Sequence, residues 1–287
     1  MAKKRITYWV FLAPVLITFA IAQIIPFIMG IIYSFTNWNG VSAVVSFNGL
    51  TNYTAIFKDK DFGHAFLFTL EYTIVAVILL NVFGFLLAML STRESRISKI
   101  LRTIFFMPNL IGGLILGFIW LFIFMQVFQN IGTITHQAWL TGWLSDQKTG
   151  LAGLIILTIW QMAGYYMLIY ISSIQAVGPE IIEAAKIDGA NSFQRTWFIT
   201  LPLIRPAFTI CLFLTLSNSF KLYDQNLSLT NGGPANSTTM LAMNIYKTAF
   251  SYNQMGQAQA KAVIFFIVVA LIGLTQVYLS SRKEIEA

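Results

Sequence analysis

The charged residues of this chain gather where they could dock or hydrogen-bond rather than break bonds. The stretch Glu180–Pro206, EIIEAAKIDGANSFQRTWFITLPLIRP, is a polar, mixed-charge interruption of an otherwise apolar sequence. Pro179 suits the first turn of a helix, where its missing N–H would be unpaired anyway. Glu180 and Glu183 then sit near the end of a helix that favours acids, and Gly189 supplies a stop. The small residues Ala184 and Ala185 fit this short helix to lie in a groove of another protein. A second helical piece is expected over Ser192–Ile199, ahead of Pro202 and Pro206. Further along, Asn218, Lys221, Tyr223, Asp224 and Asn226 form a second polar group. Bond-making chemistry has little to work with. There is no Gly-x-x-x-x-Gly-Lys-Ser/Thr phosphate loop, so ATP hydrolysis is not expected in this chain. No nucleophile triad or paired-carboxylate array stands in the apolar runs. Cys211 is the single cysteine, which excludes a disulfide within the chain and a thiolate metal cluster.

The elements that position these residues are membrane spans. Hydrophobic residues make up 57% of the chain and charged residues 10%, against roughly a quarter charged in soluble domains; the mean hydropathy is +0.71. Charge-free runs over Ile6–Phe57, Tyr72–Thr92, Thr103–Ser145, Thr149–Pro179 and Ala262–Ser281 are long enough for helices of about 20 apolar residues. They are continuously apolar rather than alternating, which argues against a β-barrel. The expectation is an all-α membrane protein with six spans, near 8–35, 67–90, 104–127, 151–174, 203–223 and 260–280. The fifth is the least clean, because only Pro206–Phe220 is charge-free and the span must borrow Leu201–Arg205 and Lys221. Lys3, Lys4 and Arg5 precede an apolar stretch too long for a signal-peptide core, so the first span is expected to be retained.

The net charge of +7 reads as orientation, not as nucleic-acid binding. Lys3, Lys4, Arg5, Arg93, Arg96, Lys99, Arg102, Lys186, Arg195, Arg205, Arg282 and Lys283 fall on one side of a six-span chain. Lys58, Lys60, Lys148, Lys221, Lys247 and Lys261 fall on the other. The positive-inside rule puts the first set, both termini and the Glu180–Pro206 stretch in the cytoplasm. Trp38, Tyr53, Trp139 and Trp143 in or beside the outer loops suit the headgroup zone. Pro14, Pro26, Pro108, Gly112, Gly113 and Gly117 read as kinks and close helix packing.

With those residues in place, the chain resembles the permease subunits of binding-protein-dependent ATP-driven importers. Glu183-Ala184-Ala185-Lys186-Ile187-Asp188-Gly189, followed by Ala190, Phe193, Leu201, Pro202 and Pro206, matches their cytoplasmic "EAA" loop. Asp188-Gly189-Ala190 points to the carbohydrate-importing branch. So do Ser219-Phe220-Lys221-Leu222-Tyr223-Asp224 and the outer-loop turn Leu229-Thr230-Asn231-Gly232-Gly233-Pro234, with Thr238 to Phe250 beyond it. Asn52-Tyr53 and Phe106-Met107-Pro108 fit the same pattern, so the likeness covers nearly the whole chain.

The resemblance implies a six-span type I ABC importer permease core over residues 1–287, with a coupling loop at 178–206. It implies a prokaryotic cell membrane, a second, homologous permease forming a heterodimer, two ATP-binding subunits that use ATP and Mg, and an extracytoplasmic solute-binding protein. Glu183, Ala184, Ala185, Asp188 and Gly189 would form the joint with an ATPase subunit. Glu183 would meet a basic or N–H group there, and Gly189 would allow a turn that a side chain would strain or block. A carbohydrate would be met by Asn218, Lys221, Tyr223, Asp224 and Asn226, because planar hydrogen-bonding groups and an aromatic ring suit a sugar. Tyr223 and Asn218 are the favoured pair, and Gln126 and Gln129 are further candidates. Asp224 would pair with Lys221 only if the helix continued through them. Anchoring beside lipid headgroups explains Arg195 and Arg205 as well as any coupling role does, and Glu71, near the start of the second span, reads as interfacial rather than as a proton carrier. A polyamine, phosphate or amino-acid permease stays open as an alternative. So do an ion-coupled secondary transporter, which would want ionisable groups within the spans, and a membrane scaffold.

Overall fold

The computed structural model describes residues 2–92 and 95–281. Arg93, Arg282 and Lys283, and the side chains of Lys3, Lys4 and Arg5, lie outside what is described, so the orientation read from them is carried by sequence alone. Among the described residues every regular element is helical, and Thr36 and Phe47 form an isolated antiparallel bridge.

Five helices are long and apolar enough to cross a membrane: Trp9–Tyr33, Lys60–Ser91, Gly113–Thr135, Gln147–Gln175 and Met255–Ser281. A sixth span is a bent pair, Ser192–Leu203 and Arg205–Phe220, with 68° between its parts. The bend follows from two prolines. Pro202 and Pro206 each lack the N–H that would reach back one turn, and a proline ring crowds the carbonyl four residues earlier. The chain answers with a π-turn at Thr196–Thr200 and a break at Ile204.

The third span departs from the expected 104–127. The sequence from Arg96 to Phe106 forms a helix of its own, then a 3-10 turn over Met107–Leu110, extended backbone at Ile111, and a restart at Gly113. Pro108 separates the two helices because it cannot continue a hydrogen-bond ladder from the first. Hydropathy alone joins them, since Ile104, Phe105 and Phe106 are as apolar as a span interior.

The contacts divide the chain into two units. In the unit made of the chain up to Phe62 and Asn244–Val268, Phe27 meets Phe266 edge-on at 4.9 Å. The buried Asn52 amide donates to the carbonyls of Ser34 and Thr36, each at 2.8 Å, and so holds the end of the first span. In the unit made of Gly63–Met243 and the chain from Val269, the Gln147–Gln175 helix is the centre of the core. Asp146 starts it: its carboxylate accepts from the N–H groups of Thr149 and Lys148, and these bonds hold its pKa below the usual carboxylate value. Glycine lets neighbours close on this helix, since a Cβ at Gly164 would collide with the Phe105 carbonyl. Two tyrosine hydroxyls buried in this core are paired: Tyr72 donates to Thr158 at 2.8 Å and Tyr170 to Asn81 at 2.6 Å, which offsets the cost of placing them in an apolar interior.

Candidate functional site

The first candidate region begins with the helix Pro179–Ile187. Its C-terminus closes by two backbone bonds, from Ala190 N–H to the Ala185 carbonyl (2.9 Å) and from Gly189 N–H to the Lys186 carbonyl (3.1 Å). This is the Schellman arrangement, which needs a left-handed residue at the turn; Gly189 supplies it with φ +83°. A Cβ there would meet nothing within 4 Å, so glycine is required by backbone conformation and not by a clash inside this chain. Glu183, Ala184, Lys186, Ile187 and Asp188 are exposed, whereas Ala185 is buried. The two alanines, about 100° apart around the helix, therefore differ in role: Ala185 packs into its own chain and Ala184 is presented outward.

The second helical piece opens at Ser192 with a reciprocal cap, in which Asn191 and Gln194 each accept the other's backbone N–H. Arg195 holds the turn between the two pieces. Its guanidinium donates to the Ala190 carbonyl and to the Ser192 hydroxyl, a fork geometry particular to arginine. Phe193, Trp197 and Phe198 are exposed beside it, and Arg205 lines an apolar recess with Trp197, Leu201, Pro202 and Phe208.

The second region is a cleft of about 310 Å³ beside the end of the Arg205–Phe220 helix. Asn218, Lys221, Tyr223 and Asp224 all line it, with Tyr72, Thr158, Met162, Tyr166 and Gln225 among the residues opposite. The helix stops at Phe220 and a new short helix starts at Asp224. Lys221 and Asp224 consequently do not face each other across a helical turn and form no ion pair with one another. Asn218 donates to the Tyr166 hydroxyl at 3.4 Å. Gln225, which sequence reasoning passed over, donates to Gln161 at 2.8 Å, and Gln161 donates to the Ile111 carbonyl at 3.0 Å. The signal was available, because a lone amide in the apolar run Leu151–Tyr170 demands a partner.

Asn226 stands apart from the cleft. It is fully buried; its amide donates to the Thr238 carbonyl (2.8 Å) and to the Thr230 hydroxyl (3.0 Å), and its carbonyl accepts from Met240 N–H (3.1 Å). It braces the loop that contains Gly232, Gly233 and Pro234. There Gly232 has φ +80°, the Gly233–Pro234 bond is cis, and Thr238 closes the turn onto the Gly232 and Gly233 carbonyls. Gln126 is exposed on the third span, Gln129 accepts from Gly142 N–H, and Glu71 is exposed on the second span; none of them lines the cleft. No group of three or more His, Cys, Asp or Glu side chains is placed to hold a metal among the described residues.

The short Asp224–Leu229 helix lies against Gly113–Phe122, and Gly113 and Gly117 make the approach possible. A Cβ at Gly117 would collide with the Ser228 hydroxyl, and one at Gly113 would fall 2.9 Å from Gln225. The small-xxx-small spacing thus fixes one wall of the cleft.

Residues 80–285 match the family described as binding-protein-dependent transport system inner membrane component. The chain is 53% identical over 284 residues, covering 99% of it and 97% of the other, to the probable starch degradation products transport system permease protein AmyD of Thermoanaerobacterium thermosulfurigenes. It is 32% identical to the multiple sugar-binding transport system permease protein MsmF of Streptococcus mutans, over 96% of each chain. Its fold is that of a chain in the crystal structure of a bacterial ABC transporter involved in the import of the acidic polysaccharide alginate: the TM-score is 0.83 at 22% identity, covering 98% of this chain and 96% of that one.

Proposed function

The chain belongs to the binding-protein-dependent transport system inner membrane components, and on that premise we propose that it is the membrane-spanning permease of an ATP-driven sugar importer. The relatives named for starch degradation products and for multiple sugars support the substrate class. The observation that carries the reading is the cleft in which Asn218, Lys221, Tyr223 and Asp224 converge at the end of the fifth span. Amide, ring, ammonium and carboxylate together offer the donors, acceptors and stacking face that hydroxyl-rich ligands use. Asn226 is left out of this set because its polar atoms are occupied by the loop.

In this reading the whole chain is one permease domain, with the loop at 178–206 as its joint to an ATPase subunit. Two such subunits consume ATP with Mg, an extracytoplasmic binding protein delivers the sugar, and a second, homologous permease completes a heterodimeric path. Glu183 and Ala184, both exposed, form the docking face, with Asp188 and Gly189 at its end. Ala185 anchors the helix to its own chain. Movement of the ATPases would be transmitted through this rigid joint to the spans. The distribution of basic residues supports cytoplasmic termini and a cytoplasmic loop.

The test is ATP hydrolysis by the assembled complex in lipid, with its binding protein, across a panel of mono- and oligosaccharides. Sugar-stimulated hydrolysis that falls in Glu183→Ala, at unchanged subunit assembly, is the expected result. Stimulation by a polyamine, phosphate or an amino acid in place of any sugar would overturn the substrate class. Stable protein that never associates with an ATPase would overturn the importer reading.

A further inference from the structure

Residues from three parts of the chain form one line of hydrogen bonds that ends in the cleft. It begins at the Ile111 carbonyl. The 3-10 turn at Met107–Leu110 leaves Ile111 extended (φ −85°, ψ 129°) ahead of the restart at Gly113, so this carbonyl stands outside both helical runs. Gln161 Nε2 donates to it at 3.0 Å, and Gln225 Nε2 donates to Gln161 Oε1 at 2.8 Å. Both glutamines are more than nine-tenths buried, with Gln161 4% and Gln225 8% exposed.

The first member of this line dictates its direction. A backbone carbonyl can only accept, so Gln161 turns its N–H toward Ile111 and its own carbonyl toward Gln225. Gln225 must answer with an N–H, and what remains at the far end is its Oε1, an acceptor. Gly113 lies on the nitrogen side of that amide, since a Cβ there would fall 2.9 Å from both Cδ and Nε2 of Gln225. Gln225 lines the cleft, and its Oε1 has no hydrogen-bond partner among the described residues, yet it is not sealed away from solvent. Asp224 beside it is, as a carboxylate, also an acceptor only, and its charge offsets that of Lys221 in the same cleft.

We propose that Gln225 sets the cleft's preference for neutral, hydroxyl-bearing saccharides over acidic ones. A sugar hydroxyl can donate to Oε1 and so complete the line. A uronate carboxylate in the same place brings oxygen against oxygen, a repulsive contact that works against the wrong ligand. The amide cannot turn over to relieve it, because the Gln225 and Gln161 carbonyls would then oppose each other in a buried site. Gln161 is a positioning residue, since it acts on the ligand only through Gln225. The inference rests on the sugar-permease reading and narrows the kind of sugar that reading admits.

The test is binding to the assembled importer in nanodiscs without its binding protein, whose own selectivity is thereby removed. Saturation-transfer NMR, which reads weak binding, compares maltotriose and cellotriose with the same trisaccharides oxidised to uronates at C6. The unmodified complex should bind the neutral sugars more tightly. Gln225→Met, similar in size but without the acceptor, should weaken the neutral sugars roughly two- to tenfold and leave the uronates unchanged. Gln161→Met keeps the Gln225 amide but frees it to turn an N–H outward, so the neutral-to-acidic ratio should fall there too, and this variant decides alone if Gln225→Met does not assemble. A role confined to packing would weaken both classes alike. Equal binding of the two classes by the unmodified complex, or a ratio unchanged in the variants, would overturn the proposal. So would binding of neither class; whether the sugar reading falls with it is decided separately, by sugar-stimulated ATP hydrolysis.

Discussion

Lys261 is 3% exposed and places its ammonium 2.8 Å from Asp59 Oδ2. Its two other N–H bonds reach Asn244 Oδ1 at 2.9 Å and Thr248 Oγ1 at 2.8 Å, so every donor is used. The ion pair therefore ties the segment before the second span to the Leu241–Tyr246 helix and to the sixth span. A lysine counted by sequence among the outer-loop charges is a buried brace.

Breaking this pair from its two ends should have unequal effects. Asp59→Asn leaves a buried ammonium with only neutral partners and should cost about 3 kcal/mol. Lys261→Met leaves a carboxylate that is 22% exposed and can recover water, so it should cost less. Asp59→Asn/Lys261→Met should be more stable than Asp59→Asn alone. Thermal inactivation half-lives in detergent would rank the three, and equal losses would contradict the brace.

The same pair sets an acid limit. Burial pushes the Asp59 carboxyl up, but hydrogen bonds from Lys261 and from Phe62 N–H, with the ammonium's charge, outweigh it and hold the pKa below the ordinary aspartate value. A carboxyl with a folded pKa below its unfolded one contributes fully above the unfolded value, about 4. That contribution is lost as pH falls through the folded value. Stability should accordingly fall below about pH 4 in the unmodified chain, with a shallower fall in Asp59→Asn, measured by melting across pH.

At Gly189 the φ of +83° predicts that alanine costs about 1 kcal/mol of local strain, with no clash to add. Asparagine, which tolerates the left-handed region, should be milder. Overall melting should barely move in either variant. Stimulated ATP hydrolysis in the assembled complex should drop more for Gly189→Ala than for Gly189→Asn.

Gly117→Ala would drive a methyl into Ser228, an overpacking expected to cost about 1–3 kcal/mol. Because the obstruction is the serine side chain, Gly117→Ala/Ser228→Gly should recover part of the loss, whereas Ser228→Ala leaves a Cβ 2.8 Å from the new atom and should recover less. Yield of folded protein and melting temperature would report it.

Asn218→Ala and Asn226→Ala should separate the cleft from the loop. The first should raise the sugar concentration needed for transport while the protein assembles normally. The second leaves the Thr238 carbonyl and Met240 N–H unpaired in a buried site, at about 1–3 kcal/mol, and should lower folded yield. Reversed outcomes would reassign both residues.

Much was legible from order along the chain. The apolar runs demanded helices of spanning length, because an unpaired backbone cannot cross hydrocarbon. The Pro179 start and Gly189 stop are local backbone preferences, and the turn at Gly232-Gly233-Pro234 is local in the same way. Each depends on residues within a few positions of one another. The Asp146–Thr149 cap at the start of the fourth span was equally local and could have been read.

What the tertiary structure alone decided is which polar group meets which. Asn226 and Asn218 share a residue type and nearly a position, yet one is walled in by Thr238 and Met240 and the other opens on the cleft. Lys261 finds Asp59 across most of the chain, and Arg102 turns back to Ser91 instead of joining Arg96 and Lys99 at the surface. Ala184 and Ala185, adjacent in sequence, part company because one faces packed neighbours. Periodicity and turn chemistry act over a few residues, whereas burial and pairing depend on which helices pack together, a relation that only the folded chain specifies.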